Sequence, residues 1–169
     1  LTQSLSTRTK QDGGALSNIL EKFISIARQE AQEKGCDVSV VIFEKLKELN
    51  DYTDGYNFAT AVSKYWEGYD TGNDVLKENA LKWLRGEYTS KIETMRDLSI
   101  REYINDAAFY NSLKLYSILV RKAGYKGLLI NLDEMVNLYK IPTSVSRKSN
   151  YEVILNILND TLQGNLSGI

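Results

Sequence analysis

Gly127-Leu128-Leu129-Ile130-Asn131-Leu132-Asp133-Glu134 is the stretch whose reading decides the fold. An apolar run lies between a glycine and an acidic pair. It is short for a helix, and its flanks punctuate it, so it reads as a buried strand. A strand cannot satisfy its own backbone N–H and C=O groups. It needs neighbours, and the chain offers no second candidate of equal strength. The simplest expectation is a parallel sheet whose other strands lie outside residues 1–169, with helices before and after the run.

Working outward, the rest reads as helix. Leu16, Ile19, Leu20, Phe23, Ile24 and Ala27 recur at three and four, and Gly35 is a fitting C′ residue. Asp37 is a candidate cap for the next segment. Residues 38–43 are β-branched, but the helical spacing carries on to Leu49, which favours helix. Residues 50–55 form a turn-rich break. Phe58, Ala61, Val62, Tyr65 and Trp66 mark a further helix expected to close near Gly68. Asn73 or Asp74 opens another, followed by Gly86. Residues 87–101 read as a loop or short helix, and residues 104–123 as a long helix stopped by Gly124. Residues 141–149 read as a loop holding Pro142, and Ser149-x-x-Glu152 as a capping box for a last helix. The fold class expected is therefore mostly α in this piece. It is a helical bundle plus one or two strands, a fragment of an α/β domain. Residues 1–101 form a helical region and residues 102–169 the part that holds the strand.

Composition removes several chemistries. The 169 residues include no histidine and one cysteine, Cys36, with a net charge of -1. No Ser-His-Asp triad, histidine general base or multi-cysteine zinc site can be built. Near-neutral charge gives no global case for nucleic-acid binding. No apolar run approaches the ~20 residues that span a bilayer, so no membrane role is expected. A cytoplasmic location follows from the single cysteine and the lack of a signal-peptide pattern. The chain begins at Leu1 rather than Met and reads as a piece of something longer.

The strand with its terminal acids resembles the Walker B element of P-loop ATPases, which implies a fragment of an α/β P-loop NTPase domain, with residues 102–169 as partial ATPase core and residues 1–101 as an insertion or lid before the strand. In those enzymes the strand is apolar because helices cover both faces, and its Asp sits at the carboxyl end where ligands bind. The resemblance makes Asp133 the Mg²⁺ residue, acting through water, and Glu134 the base that orients the attacking water. Asn131 departs from the pattern as a polar residue within the run. Read structurally instead, Asp133 and Glu134 would cap a short helix at 135–139. Arg147 is a candidate phosphate contact or arginine finger, and otherwise one half of a solvated basic pair with Lys148. No G-x-x-x-x-G-K-[ST] loop occurs in the sequence. Without its backbone N–H groups and lysine, triphosphate affinity should be poor.

Further phrases extend the likeness: Leu5-Ser6-Thr7-Arg8-Thr9-Lys10-Gln11-Asp12-Gly13-Gly14, Leu138-Tyr139-Lys140-Ile141-Pro142, and Asn150-Tyr151-Glu152 running on to Asp160-Thr161-Leu162-Gln163-Gly164. In this order and spacing the chain resembles the bacterial ATP-binding proteins of BREX phage-defence systems, the BrxD-like group. The resemblance implies ATP and Mg²⁺ as cofactors of the intact protein, with none expected in this fragment. It also implies other defence-system proteins as partners, and DNA through the complex. An orphan strand adds self-association through its edge. The rival reading is a helical protein–protein or DNA-interaction module with no nucleotide role. The tyrosines Tyr52, Tyr56, Tyr65, Tyr69 and Tyr88, with Trp66 and Trp83, are read as core and rim packing.

Overall fold

A computed structural model of the chain describes residues 14–105, 108–130 and 136–162. The described residues are mostly helical. In order they form α1 (Gly14–Lys34), α2 (Val38–Lys47), a 3-10 turn (Glu48–Asp51), α3 (Gly55–Thr71), α4 (Asp74–Leu84), α5 (Lys91–Leu98), α6 (Phe109–Lys122), α7 (Val136–Tyr139) and α8 (Ser144–Leu162).

α1 buries Leu16, Leu20, Phe23, Ile24, Ala27 and Ala31, one face at helical spacing. Gly35 ends it with φ +65, while Cys36 N–H returns to the Ala31 carbonyl at 3.1 Å. Asp37 then caps α2, accepting from Ser39 N–H at 2.7 Å. That cap and the buried stripe Val41, Ile42 and Leu46 outweigh the β-branched composition. Phe43, on the same helix, is exposed.

Gly68 does not close α3. The helix runs on to Gly72, at φ +70, and Gly68 serves another purpose inside it. A Cβ there would lie 2.8 Å from Lys77 N and 2.9 Å from the Asn73 carbonyl oxygen, so its bare face lets the start of α4 come close. Asn73 caps α4 with its side-chain oxygen on Leu76 N–H at 3.1 Å, and its own N–H reaches the Gly68 carbonyl at 2.8 Å. α3 and α4 thus form a tight antiparallel pair. Gly55 makes an even closer approach: a Cβ on it would fall 1.6 Å from the Leu49 carbonyl oxygen.

α6 begins five residues later than the periodicity predicts, at 109 rather than 104. Two contacts hold the preceding segment out of helix. Trp83 Nε1 donates to the Glu102 carbonyl at 2.8 Å, and Asn105 Oδ1 accepts from Ala108 N–H at 3.0 Å. From α6, Leu115, Tyr116 and Leu119 enter the same core as α1–α4. The buried Tyr116 hydroxyl donates to the Leu84 carbonyl, one of the carbonyls left open at the end of α4. Its ring meets Phe58 edge-on at 5.1 Å.

Residues 127–130 carry no regular secondary structure, and no strand forms among the described residues. The expected strand therefore finds no ladder partner there. Two adjacent residues of the segment still differ in exposure: Leu128 packs partly on the core while Leu129 is 86% exposed. α8 also corrects the sequence reading. It starts at Ser144, with Arg147 N–H on the Thr143 carbonyl at 3.1 Å. Ser149 is consequently inside the helix rather than at its cap, and Arg147 and Lys148 lie in α8 rather than on a loop. The cause is local: the helical bond to Thr143 forms as soon as Pro142 is passed.

Candidate functional site

Asp133 and Glu134, with Asn131 and Leu132, lie outside the described residues, as do Arg8 and Lys10. What can be placed are the supports on either side. The chain leaves α6 through Gly124, whose φ of +78 turns it back over α1. A Cβ at Gly124 would stand 3.1 Å from Ile26 Cδ1, so the turn is packed closely against that helix. Tyr125 N–H closes the turn on the Val120 carbonyl at 3.1 Å, and Lys22 Nζ sits 3.9 Å over the Tyr125 ring. Leu128 then anchors the run to the core. The chain re-enters regular structure at α7, which packs on α8.

Arg147 is engaged. Its Nη1 donates to the Tyr139 carbonyl at 3.3 Å and to the Ile141 carbonyl at 3.2 Å, bridging the end of α7 to the first turn of α8. A cation at a helix N-terminus is unfavourable to the dipole, and the two carbonyl oxygens offset that. Among the described residues, Lys148 forms an exposed i,i+4 pair with Glu152 at 3.8 Å.

α8 meets α6 through a cluster that sequence reading did not single out. Asp160 accepts from the Tyr110 hydroxyl and lies 2.8 Å from Lys114 Nζ. Burial, reinforced by the neighbouring carboxylate, pushes the Tyr110 phenol above its ordinary range. No local pattern links positions 50 apart, so only the fold reveals the cluster.

The family model described as BREX system ATP-binding protein BrxC/D matches residues 1–169. The chain belongs to that family. Comparison with curated proteins and with solved structures gave no match. The BREX likeness read from the sequence phrases, there to the BrxD-like group, agrees with this family, and the match covers both the helical body and the acidic segment.

For a BrxC/D protein, the described residues hold little of a nucleotide site. Among them no group of three or more His, Cys, Asp or Glu is arranged to hold a metal, and no helix is long and apolar enough to cross a membrane. The aromatic residues serve packing: Tyr65, Tyr88 and Trp83 are buried, while Tyr52, Tyr69 and Trp66 pack partly on the core. Of the tyrosines singled out in the sequence, Tyr56 lies at the surface. Arg28 lies over both Trp66 and Tyr69, 5.5 and 5.0 Å from the ring centres. Cys36 is exposed and free.

Proposed function

We propose that residues 128–134 are the Walker B element of an ATPase whose phosphate-binding loop is not part of this sequence. The observation that carries the reading is the family match over residues 1–169, which includes an apolar run ending in Asp133-Glu134. The alternation of Leu128 and Leu129 supports it, because extended backbone sends successive side chains to opposite faces.

In this reading residues 102–169 belong to the ATPase core, and residues 1–101 are a helical element seated on it through α6. The hard carboxylate oxygens of Asp133 fit a Mg²⁺ ion held through water. The ion would neutralise charge on the phosphates. Glu134 would take the proton of the attacking water, and Arg147 would contact phosphate with the part of its guanidinium not used on the carbonyls. The partners are other proteins of the defence system, DNA reached through the complex, and a second copy paired along the 128–132 edge. The setting is the cytoplasm. The isolated chain is inactive, because the sequence has no G-x-x-x-x-G-K-[ST] loop to cradle a triphosphate.

Two measurements test this. In the full-length protein, Glu134→Gln should lower ATP turnover about 10²-fold or more while nucleotide binding persists. An unchanged rate would remove Glu134 as base. For the 169-residue chain, calorimetry with Mg-ATP should give no measurable heat of binding, and clear saturation there would refute the claim that the site is incomplete.

A further inference from the structure

α5 carries a surface feature for which ATP hydrolysis has no use. Thr94 and Leu98 are buried and fix the helix on the core. That leaves Ile92 and Met95, at i and i+3, together on the outward side, 82% and 47% exposed. Beside them runs a shallow groove of about 500 Å³ lined by Lys91, Ile92, Met95, Arg96 and Arg101. No carboxylate lines it. Lys91 Nζ is steadied 2.7 Å from Glu102, and Arg96 by both oxygens of Asp97 at 2.7 and 3.3 Å. Arg101 makes no ion pair among the described residues.

We infer that this groove docks an acidic amphipathic segment of a partner protein. An apolar side chain sits on Ile92 and Met95, and a flanking carboxylate meets Arg101. The charge of the lining selects the partner: apolar floor, cationic rim. Lys91 and Arg96 are already held in place, so binding costs them little rotamer freedom. Duplex DNA fits less well. Phosphates gain nothing from exposed Ile92 and Met95.

The test titrates the full chain with a synthetic helix of leucines at i, i+3 and i+4 flanked by glutamates. The same helix with lysine for glutamate, and a short duplex DNA, serve as comparisons. The expected result is saturable binding of the acidic helix, amide resonance shifts centred on residues 91–102, and about tenfold weaker binding in Ile92→Ser and in Arg101→Glu. Both positions are exposed, and Arg101→Ala replaces Arg101→Glu if circular dichroism shows that the charge reversal unfolds the chain. Equal binding of the lysine helix, shifts centred elsewhere, DNA binding lost in Arg101→Glu in place of peptide binding, or no binding at all would each overturn the inference.

Discussion

The Asp160 carboxylate on α8 accepts a hydrogen bond from the Tyr110 hydroxyl on α6. Around it, Lys114 Nζ lies 2.8 Å from the same carboxylate oxygen and 4.3 Å over the Tyr110 ring. None of the described residues of α8 is buried, whereas α6 sends a full face into the core. The helix that follows the acidic segment is thus fastened to the helical body by polar contacts more than by apolar burial.

Asp160→Asn should therefore act locally. It removes a charge-assisted contact worth about 1.5–3 kcal/mol and leaves the core untouched. Amide hydrogen exchange should accelerate about tenfold or more across α8 while α1, α3 and α4 keep their protection. Uniform acceleration through every helix would show that α8 is not separately fastened.

Two glycines allow a sharper comparison. Gly55→Ala would drive a methyl group into the Leu49 carbonyl, 1.6 Å away, and backbone on both sides must move. A loss of about 3 kcal/mol or more is expected in urea unfolding. Gly68→Ala meets Lys77 N at 2.8 Å and should cost about 1–3 kcal/mol by pushing α4 off α3. If Gly68→Ala were stabilising, as Ala for Gly is in an open helix, the close α3–α4 approach would be wrong.

Alkaline pH should weaken the fold. Burial, with Glu21 adding a like-charge effect, pushes the Tyr65 phenol from 10.0 to about 12. Burial raises Tyr116 as well, and burial together with Asp97 raises Tyr88. A folded-state pKa above the unfolded one means that the fold favours the neutral phenol. That stability is complete below the unfolded value near 10 and is lost as pH rises through the folded one. The urea midpoint should stay flat up to about pH 9 and fall beyond about pH 10. Tyr65→Phe should shallow that fall by up to about 3 kcal/mol. An equally steep decline in the variant would assign the loss to other groups.

Legibility from sequence followed the range of the forces involved. Asp37 and Asn73 were readable as caps because the bonds they accept, from Ser39 and Leu76, lie two and three residues away. Gly35 and Gly124 were readable as stops for the same local reason. The start of α6 was not, because it depends on Trp83 reaching Glu102, 19 residues on. Gly68 looked like a terminator, but its role is to admit Lys77 and Asn73, a tertiary fact. α8 was displaced because Ser149-x-x-Glu152 matches a cap pattern that an earlier helical start overrides. At the candidate site, residue chemistry was legible and positions were not: Arg147 was read as a loop residue and is a bridge between helices. Asp133 and Glu134 lie outside the described residues, so they stand on the family match and on their own chemistry.

Arg147 supplies the last prediction, because its observed bridge and its proposed phosphate contact separate in the absence of nucleotide. A bridge from Nη1 to the carbonyls of Tyr139 and Ile141 acts at all times, whereas a phosphate contact acts only with nucleotide bound. Arg147→Ala should thus raise hydrogen exchange in the first turns of α8 in the nucleotide-free chain, by roughly the 1–3 kcal/mol of two lost carbonyl contacts. Arg147→Lys should recover only part of the protection, since a single ammonium lacks the planar guanidinium that spans both oxygens. In the full-length protein the same Lys variant, which keeps the charge, separates geometry from charge in ATP turnover. Exchange in Arg147→Ala indistinguishable from the parent chain would show that the bridge does not hold α7 to α8, and would leave nucleotide contact as the residue's only assigned work.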